Sequence, residues 1–168
     1  GGIDAERLPA VVESVPRLPH LRHIVLVDAD GDPEAVPGLT VTPYEALLAS
    51  APATPAAVRP HDLAAIHFTS GTTGRSKGAM MTHAHQHLLA EQNTTLVDLG
   101  PDDVYMTSLP LFHVNAQLTA VYAAMLVGAR VHLEPKFSAS RWLDIARETK
   151  ATVTTTLGVM MPFLLAQH

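Results

Sequence analysis

Residues 68–78, FTSGTTGRSKG, follow an apolar run and gather three glycines, five hydroxyl side chains and two cations. Gly71, Gly74 and Gly78 let the backbone pass through conformations barred to residues with a Cβ, so that successive N–H groups can face one point. Thr69, Ser70, Thr72, Thr73 and Ser76 add hydroxyl donors, and Arg75 and Lys77 add positive charge. Converging donors and cations on glycine hinges suit a polyphosphate. Solvent loops use the same residue types to make turns, so composition alone does not separate the two readings; the order of the residues does. Two familiar phosphate motifs do not fit that order. A P-loop requires glycine, four residues, then Gly-Lys-[Ser/Thr]. Counted from Gly71, Ser76 takes the second glycine's place and Gly78 follows Lys77. The dinucleotide fingerprint fails as well, because the glycines lie three and then four residues apart.

Other residues with chemical potential carry weaker patterns. His113 follows the apolar Pro-Leu-Phe and, by its neighbours alone, reads first as a packed, hydrogen-bonded histidine. His83, His85 and His87 open a helical stretch, with His83 and His87 four apart on one face, a spacing that can bind zinc. No HExxH and no third ligand accompany them. A packed or solvated helix start is expected, and no residue is assigned to a metal. Asp62, Asp102 and Asp103 stand beside strand starts, where turn or cap roles suffice. Trp142, at helical spacing with Ile145 and Ala146, is expected in the core.

The elements that must position these groups alternate. Residues 23–27 read as a strand ending in an Asp/Gly turn, and residues 42–50 as a helix with Thr42 as N-cap, Pro43 next and Glu45 completing a capping box. The Pro- and Ala-rich stretch 51–62 reads as a surface connection. Residues 63–69 read as a buried strand, 70–78 as a loop, 79–82 as a second short strand, and 83–99 as a helix closed by Gly100 and Pro101. Strands follow at 103–109, 129–134 and 152–157. Helices are expected at 116–126, at 138–150 starting on Ser138 or Ser140, and from Gly158 onward. Strand and helix alternating every 25 to 30 residues predict an α/β fold with a mostly parallel sheet and helices on both faces. Ligands of such sheets bind beyond the carboxyl ends of strands, where the glycine loop lies.

The formal net charge of −5 supplies no basic field for nucleic acid. The chain has no cysteine, which excludes a disulfide framework, a thiolate zinc site and a cysteine nucleophile and fits a cytoplasmic location. No apolar run reaches the roughly 18 residues of a membrane span. The ends, GGIDAERLPA and MMPFLLAQH, read as cuts within a longer protein.

The segment TSGTTGRSKG, followed by a short apolar strand and Thr82-His83, resembles the phosphate loop of the adenylate-forming superfamily: acyl-CoA synthetases, peptide-synthetase adenylation domains and luciferases. LPLFHVNAQ, residues 109–117, is similar to that superfamily's Pro-x-Phe-His segment at the acyl pocket. The resemblance covers most of the chain from Asp62 onward and looks closest to ligases of the carnitine/crotonobetaine–CoA type. Ser76 stands where proline is usual, His85 where asparagine is frequent and Ala116 where glycine is frequent.

The resemblance implies that residues 62–168 are part of an AMP-binding α/β subdomain in the large N-terminal domain of such an enzyme, carrying a phosphate loop at 69–78 and an acyl-pocket segment at 109–117. Residues 1–61 would be an incomplete strand/helix segment and its connection. It further implies an ATP-dependent acyl-CoA ligase with ATP, Mg²⁺, coenzyme A and a carboxylic acid as cofactors and partners. Thr69, Ser70, Gly71, Thr72, Thr73, Gly74 and Lys77 would hold the nucleotide's phosphates, Lys77 and His113 would serve the reaction, and His113, Val114 and Asn115 would face the acid. Another adenylate-former, or a non-catalytic nucleotide-binding remnant, is the alternative. The superfamily's Tyr-Gly-x-Thr-Glu, Thr-Gly-Asp and late lysine do not occur in these 168 residues, so the chain alone is expected to be inactive.

Overall fold

The computed structural model describes residues 2–4, 7–27, 35–69, 74 and 76–167. It divides into two compact units, residues 1–56 and 57–168.

The first unit holds β1 (Gly2–Asp4), α1 (Leu8–Ser14), β2 (His23–Val27), β3 (Thr40–Pro43) and α2 (Tyr44–Leu48), with the strands in a parallel sheet of order β1-β2-β3. Ile24 and Leu26 alternate along β2 and are buried, the period-2 pattern of a strand with one covered face. Thr42 does not cap a helix. Residues 40–42, Thr-Val-Thr, are β-branched and pair with β2, so Thr42 lies in β3 opposite Val25 and α2 starts only after Pro43.

The second unit opens with β4 (Leu63–Phe68) and β5 (Gly78–Thr82), which form an antiparallel ribbon with a register shift between Leu63 and Ala65. The strand expected to be buried at 63–69 is not. Phe68 and Met80 are each 74% exposed, because a two-stranded ribbon covers neither of its own faces. Next come α3 (His83–Leu96), β6 (Val104–Thr107), a π-helical segment Asn115–Tyr122 continued by α4 (Ala123–Val127), β7 (Arg130–Leu133), α5 (Trp142–Thr149), β8 (Val153–Thr154) and α6 (Met161–Leu165). Gly128 closes α4 at φ +76 with its N–H on Ala124 O, a left-handed cap that favours glycine. α5 begins at Trp142, later than Ser138 or Ser140; those two hydroxyls face each other at 3.4 Å instead of capping it.

β6 is the centre of a parallel sheet of order β7-β6-β8, and all four of its residues are buried. Adjacent residues of β6 serve opposite faces. Tyr105 packs with Ala90 of α3, Leu99 in the turn after it, Ala120 of the π segment and Ala123 and Ala124 of α4. Met106 packs with Trp142, Ile145 and Met160, from α5 and the turn before α6. Helices therefore cover both faces, as the alternation of elements predicts, and Trp142 lies in the core.

Asp103 ties the amino end of this sheet together. Its carboxylate accepts from Gly100 N at 2.7 Å and from Thr152 Oγ1 at 2.6 Å. Those two hydrogen bonds, Thr152 first, hold its pKa below the ordinary value for an aspartate. A depressed folded-state pKa contributes stability that is present above the unfolded value and lost as pH falls through the folded one. Asp103→Ala is therefore expected to lower the urea midpoint at pH 7, with the gap from wild type narrowing below about pH 4. A gap of constant size down to about pH 2.5 would contradict this.

Candidate functional site

The glycine loop is the turn of the β4–β5 ribbon. Phe68 pairs with Gly78, Thr69 N donates to Lys77 O at 2.9 Å, and Thr69 Oγ1 reaches the same carbonyl at 3.4 Å. These contacts close the neck of the loop and leave Thr69, Gly74 and Lys77 at the surface. Ser70, Gly71, Thr72, Thr73 and Arg75 lie outside the described residues. Gly74 has φ +149, a region that side chains with a Cβ rarely adopt, so its glycine is required by backbone conformation and not by space. Gly78 is required by space: a Cβ there would stand 2.7 Å from Ile66 Cγ2 across the ribbon.

The ribbon is anchored at its far end. Arg59 grips Asp62 through its backbone N at 2.8 Å and its guanidinium at 3.0 Å, which, with a smaller contribution from His83, holds the Asp62 carboxyl below its ordinary value. Asp62 O accepts from His83 N, Pro60 O from Ala84 N, and Thr82 Oγ1 from His85 N at 3.2 Å as the N-cap of α3. β5 thus runs into α3 without an intervening loop. Asp62 and Asp103 both have the turn and cap roles expected of them.

The second candidate segment leaves the carboxyl end of β6. Leu109 N donates to Thr107 Oγ1, His113 N to Pro110 O, and Gln117 N to His113 O, so His113 stands where the chain winds into the π segment. His113 is exposed, its ring 4.5 Å from that of Phe112, which does not match the packed histidine that its neighbours alone indicate. Val114 and Asn115 are half-buried. No hydrogen bond or ring contact among the described residues joins His113 to the neck of the glycine loop. The link is α3, which packs on β5 at one end and on the π segment along its side.

Two buried polar atoms, His67 Nε2 and Ser108 Oγ, have no hydrogen-bond partner among the described residues. Each lies just upstream of a candidate segment, two residues before Thr69 and one before Leu109. A crevice of ≈ 590 Å³ is lined by Pro60, His83, His87, Leu88 and Tyr122, among others, but by none of the residues assigned to phosphate or acid. His87 is exposed, with Nδ1 3.3 Å from Tyr122 OH, in keeping with the packed or solvated helix start expected of these histidines.

The second unit combines a parallel sheet covered by helices on both faces with an antiparallel ribbon whose turn is rich in glycine and hydroxyl residues, a combination expected of the class of nucleotide-phosphate binders. The profile of the family described as AMP-binding enzyme matches residues 2–168, and the chain belongs to that family. It is 37% identical over 151 residues to a crotonobetaine/carnitine–CoA ligase of Shigella flexneri serotype 5b, an alignment covering 88% of this chain and 29% of that protein. The corresponding ligase of Salmonella arizonae is 41% identical over 108 residues, 64% of this chain and 21% of its own length. Among solved structures, ATP-bound MatB from Rhodopseudomonas palustris superposes with a TM-score of 0.73 at 28% identity, over 98% of this chain and 30% of that one. A putative long-chain-fatty-acid CoA ligase structure from the same organism reaches 0.80 at 21% identity, over 99% of this chain and 40% of that one, a likeness of fold. The chain spans less than a third of the length of the curated ligases it matches.

Proposed function

We propose that this chain forms the phosphate-gripping and acid-facing part of an ATP-dependent acyl-CoA ligase. The observation that carries the reading is the glycine hairpin, closed at its neck by Thr69 and Lys77, within a chain matched along residues 2–168 by the AMP-binding enzyme profile. In the first half-reaction the carboxylate of an organic acid attacks the α-phosphorus of ATP, and pyrophosphate leaves. In the second, the thiol of coenzyme A attacks the acyl carbon, its proton is lost and AMP leaves.

The first step brings an anionic nucleophile to a polyanion, so the protein must hold the phosphates in line and offset their charge. Residues 69–74 would supply backbone N–H groups and hydroxyls to the β- and γ-phosphates, with the Lys77 ammonium beside them. The donors at the neck, a hydroxyl and an ammonium, fit phosphate oxygens; Mg²⁺ carried on those oxygens would supply further charge neutralisation. His113, exposed at the head of the π segment, would separate the adenylate from the approaching thiol, with Val114 and Asn115 facing the acid. Residues 1–61 would then serve as the supporting segment and residues 62–168 as the AMP-binding part. Reactions drawing on ATP and coenzyme A fit a cytoplasmic enzyme, and no helix among the described residues is long and apolar enough to cross a membrane.

The test is hydroxylamine trapping of acyl-adenylate by the full-length protein, across short, branched, aromatic and betaine acids. Failure of every acid to release pyrophosphate would overturn the reading. In the same protein, His113→Ala is expected to slow thioester formation about tenfold, near 1.4 kcal/mol, with a smaller effect on adenylate formation. Wild-type rates in both half-reactions would remove His113 from the site.

A further inference from the structure

α3 and the π segment pack together through small residues, Ala90 on one side and Ala120 on the other, both fully buried in one cluster. Their close approach brings Asn93 Nδ2 to 2.6 Å from the carbonyl oxygen of Thr119. In an α-helix that carbonyl would accept from the amide of Ala123. Here the Ala123 amide turns to Leu118 O and Ala120 O, and the Asn93 side chain donates to the carbonyl. Thr119 Oγ1 in turn donates to Asn115 O at 2.6 Å and lies 3.4 Å from Asn115 Oδ1. A hydrogen-bonded path therefore runs from α3 through Thr119 to Asn115, two residues after His113.

We infer that Asn93 is a positioning residue for the acid: its side-chain amide locks the π winding of residues 115–122 and so sets where His113, Val114 and Asn115 present themselves. The inference rests on the proposed role of residues 109–117. π winding is rare and frequently found at functional sites, where a device must hold it against the commoner α form. Relaxing one π turn to α geometry changes the phase of the residues before it by about 100°, the angle one residue spans in a helix of 3.6 residues per turn. Such a change would redirect Asn115 and its two neighbours while leaving the glycine hairpin, on β4 and β5, as it is. Asn93 is also the right length for the task. An alanine at 93 could not reach the carbonyl, and a leucine of the same branched shape would leave it unpaired at a half-buried interface.

The test uses the full-length protein carrying Asn93→Leu, Thr119→Val, both together, or Thr119→Ser, with pyrophosphate release followed against acid and against ATP. Asn93→Leu and Thr119→Val are each expected to raise KM for the acid about tenfold, the scale of one lost hydrogen bond, with KM for ATP within about twofold of wild type. The double variant should be little worse than either single one, and Thr119→Ser should behave as wild type. Amide hydrogen exchange across residues 115–122 should quicken in Asn93→Leu. An unchanged KM for the acid, or KM values for acid and ATP that rise together, overturns the positioning role. Unchanged exchange overturns the lock itself. If the wild-type protein activates no acid, the functional reading falls and takes the acid-positioning role with it, and the exchange measurement still decides whether Asn93 holds the π winding.

Discussion

Lys77→Ala in the full-length protein is expected to lower ATP–pyrophosphate exchange about a hundredfold, on the order of 3 kcal/mol of transition-state stabilisation. Lys77 is the last residue before β5, and its carbonyl is held by Thr69, so the backbone at this point is fixed by the hairpin neck. Its side chain is exposed and forms no ion pair with any described residue. A lysine so placed contributes little to folding, and its removal should leave the melting temperature within about a degree or two of wild type, as surface substitutions generally do. Its charge is available to the oxygens of a phosphate chain, where a compact ammonium acts as a point charge. Lys77→Arg should recover part of the lost rate, because the charge returns but its position shifts. Exchange within about twofold of wild type for Lys77→Ala would show that the hairpin does not grip the nucleotide through this residue.

The largest expected effect on stability is at Trp142. Trp142→Ala should destabilise by about 3–5 kcal/mol, read as a fall in the denaturation midpoint of the full-length protein. The indole is buried between the sheet and α5, edge-on to Phe137 at 5.5 Å, and it packs on Met106, the β6 residue that faces this side. Ile145 and Met160 complete the contact, and neither is large enough to fill the space an alanine would leave. Trp142→Phe should recover more than half of the loss. A change below about 1 kcal/mol for the alanine variant would mean that the core collapses around the smaller residue and does not depend on the indole.

Both predictions draw on features legible in the amino-acid sequence, because they depend on short-range chemistry. The order of three glycines, hydroxyl side chains and cations over residues 68–78 identifies a turn between two strands and the chemistry proposed for it. The regular alternation of β-branched and helical stretches announces a mostly parallel sheet, and the spacing of Trp142, Ile145 and Ala146 announces a helix with one apolar face. Local signals misled where a longer-range partner competed for the same backbone. Thr42 has every mark of an N-cap, yet it belongs to the ladder with β2. Ser138 and Ser140 invite a helix that starts only at Trp142, where burial against Met106 begins to act.

The amino-acid sequence on its own determined the type of each element from residue 63 onward, the position of the glycine-rich turn between two strands and the residue types proposed to meet a nucleotide and an acid. These follow from conformational preferences and side-chain chemistry acting over a few neighbouring residues. Only the tertiary structure decided that the loop closes an antiparallel ribbon, that β6 is covered on both faces, and that residues 115–122 wind as a π-helix with Asn93 on the Thr119 carbonyl. Each of these joins groups distant along the chain: β4 with β5 across the loop, β6 with helices on either side of it, and Asn93 with Thr119, 26 residues apart. Asn93 gave no local warning, since an asparagine late in a helix looks like a solvated residue until the neighbouring helix arrives. Pairings of that kind are settled by which surfaces can be buried together with their polar groups satisfied, a condition that no short stretch of sequence states.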